Sequence, residues 1–362
     1  MYKLSEFKIA FLYIGIFVFL LSSCSTQEES ATTTIADVSY LKVSGQTMGT
    51  TYNITYADSK KRNFQKQIDD LLLEVNLDVS TYIDTSFISR FNQASKKIVL
   101  QSNYASSDSP NRHFLMNYYK AKEVYQKTDG YFDPTIMPLV YYWGFAKKKE
   151  KVTEVDKKQV DSLMQFVGFT GVELDQSNHF IYKTKPGVQL DFSAIAKGYG
   201  VDAICELFDR EDITSYLVEI GGETRAKGVN VNGEVWRLGI STPSSDAAVT
   251  DYKTIVRVPN MALASSGNYR NFYEVKGRKY GHTIDTKTGY PKDSDILSAS
   301  IFAEDCMSAD AYATACMSMG LEKSMTLIQS LPDVEAYFIY GDENGKLAVK
   351  YTDGVGALLV KE

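Results

Sequence analysis

Eight short stretches rich in β-branched and aromatic residues constrain the fold of this 362-residue chain more than any other feature. They fall at 51–56, 179–183, 216–220, 235–241, 254–258, 297–302, 336–340 and 346–351, each the length of a strand. Several are joined by short turns such as Asn232-Gly233 and Glu343-Asn344-Gly345, which suit antiparallel neighbours. Two stretches carry helical spacing instead: 67–82, with Ile68, Leu71, Leu72, Val75 and Val79, and 114–127, with Leu115, Tyr118 and Val124. Strands and helices alternate irregularly, so the expected class is α+β with mixed, mostly antiparallel sheets and packed helices, not a doubly wound parallel sheet. No internal repeat and no Pro-rich or Gly/Ser-rich linker interrupts 39–362, and a content of 44% apolar residues suffices for one large core.

The first residues are built differently. Lys3 and Lys8 precede an apolar run of 13 residues at 9–21. That is shorter than the ~20 residues a membrane-spanning helix needs and suits the core of an export signal. Leu21-Ser22-Ser23-Cys24 follows and resembles a bacterial lipoprotein cleavage box. Residues 1–23 are therefore expected to be a signal peptide, with Cys24 a lipidated N-terminus and 24–38, rich in Ser, Thr and Glu, a flexible tether. The remainder, 39–362, is then exported and held on a bacterial membrane, facing the periplasm or the cell exterior. Only Cys205, Cys306 and Cys316 remain, an odd number that argues against a disulfide framework.

The net charge is −6, from 39 basic and 45 acidic residues, and no basic block is present. Nucleic acid is excluded as a partner on that pattern. A polyanionic ligand would have to be held locally, by a metal, a lysine or backbone N–H groups.

Three segments offer such groups. In 191–204, DFSAIAKGYGVDAI, Asp191 or Ser193 is expected to cap a helix opening at Ala194, whose free N–H groups favour an anion. Lys197 falls one turn in, and Gly198 and Gly200 imply a close approach to the backbone. In 303–320, AEDCMSADAYATACMSMG, Ser308 is expected to cap a helix on which Asp310 and Thr314 stand one turn apart. A carboxylate and a hydroxyl suit Mg²⁺. In 280–291, YGHTIDTKTGYP, His282 is one of only three histidines and precedes Asp285; it can exchange a proton near neutral pH with Asp285 to orient it. Arg225 and Arg270 are further candidates for anion contacts, or equally for salt bridges. No G-x-S-x-G elbow and no C-x-x-C occurs, which disfavours serine-hydrolase and zinc chemistry.

Eight stretches in order carry a resemblance: GQTMGTTYNI at 45–54, STYIDTSFISRFN at 80–92, TDGYFDPTIMPLVYYWGF at 128–145, LDFSAIAKGYGVD at 190–202, EIGGETRAKG at 219–228, SSGNYRNF at 265–272, YGHTIDTKTGYP at 280–291 and EDCMSADAYATA at 304–315. Together they resemble the ApbE family of exported flavin transferases, the FAD:protein FMN transferases. The resemblance implies an ApbE-type fold similar to the tunnelling fold. It also implies Mg²⁺-dependent transfer of FMN from FAD to a threonine hydroxyl of a partner protein, with release of AMP. The acceptor it implies is a membrane electron-transport subunit bearing a flavinylation threonine.

Position by position, the resemblance implies flavin or adenine contacts at Met48, Tyr82, Tyr131, Phe132, Asp133, Asp191, Lys197 and Ile284. It implies metal ligands at Asp310, Thr314 and the main-chain carbonyl of Ala194, and acid-base work at His282 with Asp285 beside it. The sequence departs from the usual family pattern at Thr286, where proline commonly follows the aspartate, at Asn268, where aspartate is common, and at Tyr131, where a small residue is common. The same parts would serve a Mg²⁺-dependent FAD pyrophosphatase giving FMN and AMP, and a flavin-binding lipoprotein without turnover is a third reading.

Overall fold

The structure is a computed structural model that describes residues 39–101, 109–146, 152, 154–241, 252–267, 272–275, 278–281, 283–292, 294–343 and 346–360. The apolar run, Cys24, Arg270 and His282 lie outside the described residues. An eight-stranded sheet organises the domain, in the order Ser39–Thr47, Thr50–Asp58, Tyr216–Ile220, Glu223–Lys227, Ala262–Gly267, Ile296–Ala303, Glu335–Gly341, Leu347–Tyr351. Every pairing in it is antiparallel. The outer two strands stand at opposite ends of this order, so the sheet is open and the tunnelling-fold likeness does not extend to a closed barrel.

Alternation along the strands explains why both faces are covered. On one strand Ala264 faces a large helical layer while Leu263 faces a second cluster; on the next, Ile301 and Phe302 divide in the same way, as do Phe338 and Tyr337. The second cluster lies under the hairpin of Arg237–Ser241 and Tyr252–Arg257 and contains Trp236, Ile240 and Val256. Each such side chain, fully buried, stabilises the fold by roughly 1.5–3 kcal/mol. Strands buried on both faces lose the polar-apolar alternation that would mark them in a sequence.

Four helices form the layer that matters for the site: Gln65–Val79, Arg112–Lys127, Ala196–Arg210 and Cys306–Met319. The last is buried almost all round, with Ala309, Ala311, Ala313 and Ala315 fully buried; small residues let it lie against both the sheet and its neighbour helices. At Gly198 an added Cβ would stand 2.4 Å from the Cys306 carbonyl oxygen. The close approach expected at this glycine is thus made by the neighbouring helix.

Two expected caps differ from those observed. The Lys197 helix begins at Ala196, with Ile195 before it and no side-chain cap. Asp191 is instead occupied two residues on, accepting from the N–H and the hydroxyl of Ser193, which closes a turn ahead of the helix. The Asp310 helix is capped by Asp305, whose carboxylate accepts from the Ser308 N–H at 2.6 Å and from its hydroxyl at 2.9 Å. Ser308 lies inside the first turn because the longer aspartate three residues earlier takes the orphan N–H. Among the described residues no helix is long and apolar enough to cross a membrane.

Candidate active site

A cleft of about 790 Å³ opens where the Lys197 helix, the Asp310 helix and the ends of the central strands converge, within the roughly 300–1,000 Å³ of small-molecule sites. Its lining includes two chemical kinds of residue: aromatic and apolar ones, Tyr82, Tyr131, Phe132, Met137, Val140, Tyr141, Phe145 and Ile284, and charged or hydroxylic ones, Lys197, Glu223, Asp310, Thr314, Ser265 and Ser266. Ala194, Asp133 and Asp191 also line it.

At the charged end, Asp310 is 2% exposed and its Oδ2 accepts the Gly198 N–H at 3.0 Å. Lys197 Nζ lies 3.7 Å from Asp310 Oδ1 and 2.8 Å from Glu223 Oε1. Burial alone would lower the Lys197 pKa, but the two carboxylates outweigh it and hold the ammonium charged above its ordinary range. Burial pushes the Glu223 carboxyl up, the Lys197 charge opposes this, and Asp310 adds to the rise. Glu223 Oε2 is buried without a hydrogen-bond partner among the described residues. Thr314 Oγ1 stands 3.2 Å from Ser266 Oγ.

Elsewhere in the lining, Asp133 accepts from the N–H and hydroxyl of Thr135, at 2.8 and 2.6 Å, and so starts the short 3-10 turn Pro134–Ile136. Burial pushes its carboxyl up to about 6 against these hydrogen bonds. Burial also raises the Asp191 carboxyl, with Ser193 opposing. The Tyr131 ring has Lys323 Nζ 4.8 Å and Lys287 Nζ 5.3 Å from its centroid.

The structure thus brings together Tyr82, Tyr131, Phe132, Asp133, Asp191, Ala194, Lys197, Ile284, Asp310 and Thr314 in one cleft. Met48 does not line it. It occupies the left-handed position of the turn after Ser39–Thr47, φ 51°, beside a separate small hollow at 46–51. Asp285 is also absent from the lining. Its carboxylate accepts the Lys287 N–H at 2.8 Å, with Lys292 Nζ at 3.6 Å. It shapes the turn that Thr286 fastens to the Gly130 carbonyl at 2.6 Å. His282 is outside the described residues; the following Thr283 and Ile284 line the cleft. Arg225 is a structural residue, bonded to Asp202 at 2.8 Å.

Glu223, Ser265 and Ser266 were missed as site residues. For Glu223 the available signal was the pair Gly221-Gly222, both at positive φ, 62° and 107°, which turns the chain sharply and delivers the next side chain to the strand end.

The donors suit a hard divalent cation. Asp310 and Thr314 offer oxygens, Ala194 lines the same cleft, and the buried Glu223 Oε2 is an oxygen with no hydrogen-bond partner among the described residues. Among the described residues no group of three or more His, Cys, Asp or Glu could hold a metal by itself. A cation here would have to complete its shell with ligand oxygens and water, the habit of Mg²⁺.

The fold is shared with known proteins. The sequence profile described as the ApbE family matches residues 48–338, and the chain belongs to that family. An FAD:protein FMN transferase of Vibrio cholerae is 38% identical over 298 residues, covering 80% of this chain and 84% of that protein. One of Haemophilus influenzae is 33% identical over 317 residues, covering 84% and 88%. Among solved structures, the flavin transferase ApbE from Vibrio cholerae superposes with a TM-score of 0.76 at 31% identity, covering 89% of this chain and all of that one. The apo flavinyl transferase ApbE of Pseudomonas stutzeri gives 0.75 at 27% identity, covering 89% and 97%.

Proposed function

We propose that the protein transfers FMN from FAD to a threonine hydroxyl of an acceptor protein, forming a phosphoester and releasing AMP. The observation that carries this reading is the lining of the cleft, which combines aromatic residues suited to a ring system with a lysine, carboxylates and hydroxyls suited to a metal-bound diphosphate. The relatives named FAD:protein FMN transferase support the same reaction.

In this reading Tyr82, Tyr131, Phe132, Asp133, Asp191 and Ile284 hold the ring portions, and Met48 acts from behind the Lys197 helix. There, an added Cβ at Gly200 would lie 3.0 Å from Met48 Cε. Lys197 places its ammonium on the diphosphate. His282 accepts the proton of the threonine hydroxyl as that oxygen bonds to the FMN phosphorus and the bond to the AMP phosphate breaks. Asp285 shapes the turn that follows His282. Asp310, Thr314 and the Ala194 carbonyl hold Mg²⁺, which when bound neutralises charge on the diphosphate. Residues 1–23 serve as a signal peptide, Cys24 carries the lipid anchor, 24–38 tether the domain, and the acceptor is a membrane electron-transport subunit on the same side.

The test is Mg²⁺-dependent AMP release from FAD. Replacing Asp310 by Ala is expected to lower the rate by about 100-fold or more. AMP and free FMN formed at the same rate with and without acceptor would identify the pyrophosphatase instead, and bound FAD without AMP a binding protein.

A further inference from the structure

Glu223 lies in the wall of the cleft at 4% exposure, and its position relative to Lys197 and Asp310 is informative. An ammonium between two buried carboxylates is attracted to both. Here it bonds to Glu223 Oε1 at 2.8 Å and stands 3.7 Å from Asp310 Oδ1, beyond hydrogen-bond distance. The other Asp310 oxygen is fixed by the Gly198 N–H. An ammonium bonded to Asp310 Oδ1 would compete with a cation for that oxygen. Held by Glu223, it does not. Glu223 Oε2, the carboxylate's other oxygen, is buried with no hydrogen-bond partner among the described residues.

We propose that Glu223 is a positioning residue that holds the Lys197 ammonium away from Asp310, keeping Asp310 Oδ1 available to a divalent cation. This rests on the reading of Asp310 as a cation ligand given above. It follows that removing the Glu223 carboxylate lets Lys197 close onto Asp310 and occupy the cation's place. Glu223 thereby acts on the cation through Lys197, without touching it.

Mn²⁺ binding to the purified full-length protein, without FAD and followed by electron paramagnetic resonance, tests this. Glu223→Gln is expected to weaken binding about tenfold, as for other residues that orient a metal ligand's surroundings. Glu223→Asp keeps the charge but is too short to hold Lys197 in the same place, and is expected to weaken binding similarly. In a Lys197→Met background Glu223→Gln is expected to change the affinity by less than about twofold, because the two effects are coupled. Wild-type affinity in Glu223→Asp would overturn the proposal, as would a Glu223→Gln loss that persists without Lys197. Wild-type protein that binds no Mn²⁺, or an Asp310→Ala variant that binds it equally well, would overturn the metal assignment itself.

Discussion

The Gly198 N–H donates a 3.0 Å hydrogen bond to Asp310 Oδ2, so the main chain of the Lys197 helix orients the carboxylate of its neighbour. The contact depends on the lack of a side chain at Gly198. A Cβ there would meet the Cys306 carbonyl oxygen at 2.4 Å, and that atom is backbone, unable to swing aside. Gly198→Ala is therefore expected to destabilise the fold by about 3 kcal/mol, and to weaken Mn²⁺ binding as the helices part. Urea unfolding and the Mn²⁺ titration measure the two effects separately.

Asp202, one turn along the same face of the Lys197 helix, joins the two helices again. It accepts the N–H groups of Cys306 at 3.0 Å and Met307 at 2.8 Å while pairing with Arg225 at 2.8 Å. Removing the Asp202 carboxylate leaves two N–H groups and the partly exposed Arg225 without their acceptor, so Asp202→Ala is expected to lower stability by roughly 1–3 kcal/mol. Asp202→Asn, which keeps one acceptor oxygen, should lose less. Equal stability of both variants and wild type in urea would contradict this role.

His113 supplies a pH dependence away from the cleft. Its Nδ1 contacts Tyr199 Oη at 2.7 Å, and burial, with the charge of Arg112 adding, lowers its pKa to about 4. The unfolded chain takes up this proton first, so the folded state loses stability as pH falls from about 6.5 to about 4. The full effect is on the order of 3 kcal/mol. Burial raises Asp133 and Asp202 to about 6, and these carboxyls act in the opposite sense over the same range. The difference between wild type and His113→Gln is the informative quantity: the variant is expected to lose less stability than wild type between pH 6.5 and 4.

Much of the site was legible because its chemistry is local in the sequence. Asp310 and Thr314 are four apart on one helix, and Tyr131, Phe132, Asp133, Asp191, Ala194, Lys197 and Ile284 all line the cleft. The strands at 216–220 and 297–302 fall on short, largely apolar runs of strand length that the sequence shows directly. Glu223–Lys227 and Ala262–Gly267 were not, because ETRAK reads as a charged turn and ALASSG as a small-residue loop. Their place in the middle of the sheet comes from their neighbours. Glu223 went unnoticed with its strand. The caps misjudged at Asp191 and Ser308 show a similar limit: several Ser and Asp side chains lay within reach, and only three-dimensional competition selected Asp305.

The most direct test incubates the full-length protein with FAD, Mg²⁺ and a peptide carrying a flavinylation threonine, and reads the peptide by intact mass. The account predicts that the peptide gains FMN less one water while AMP appears in equal amount, and that neither occurs with Asp310→Ala or His282→Ala. An unmodified peptide alongside AMP and free FMN, or modification that survives both substitutions, would contradict it.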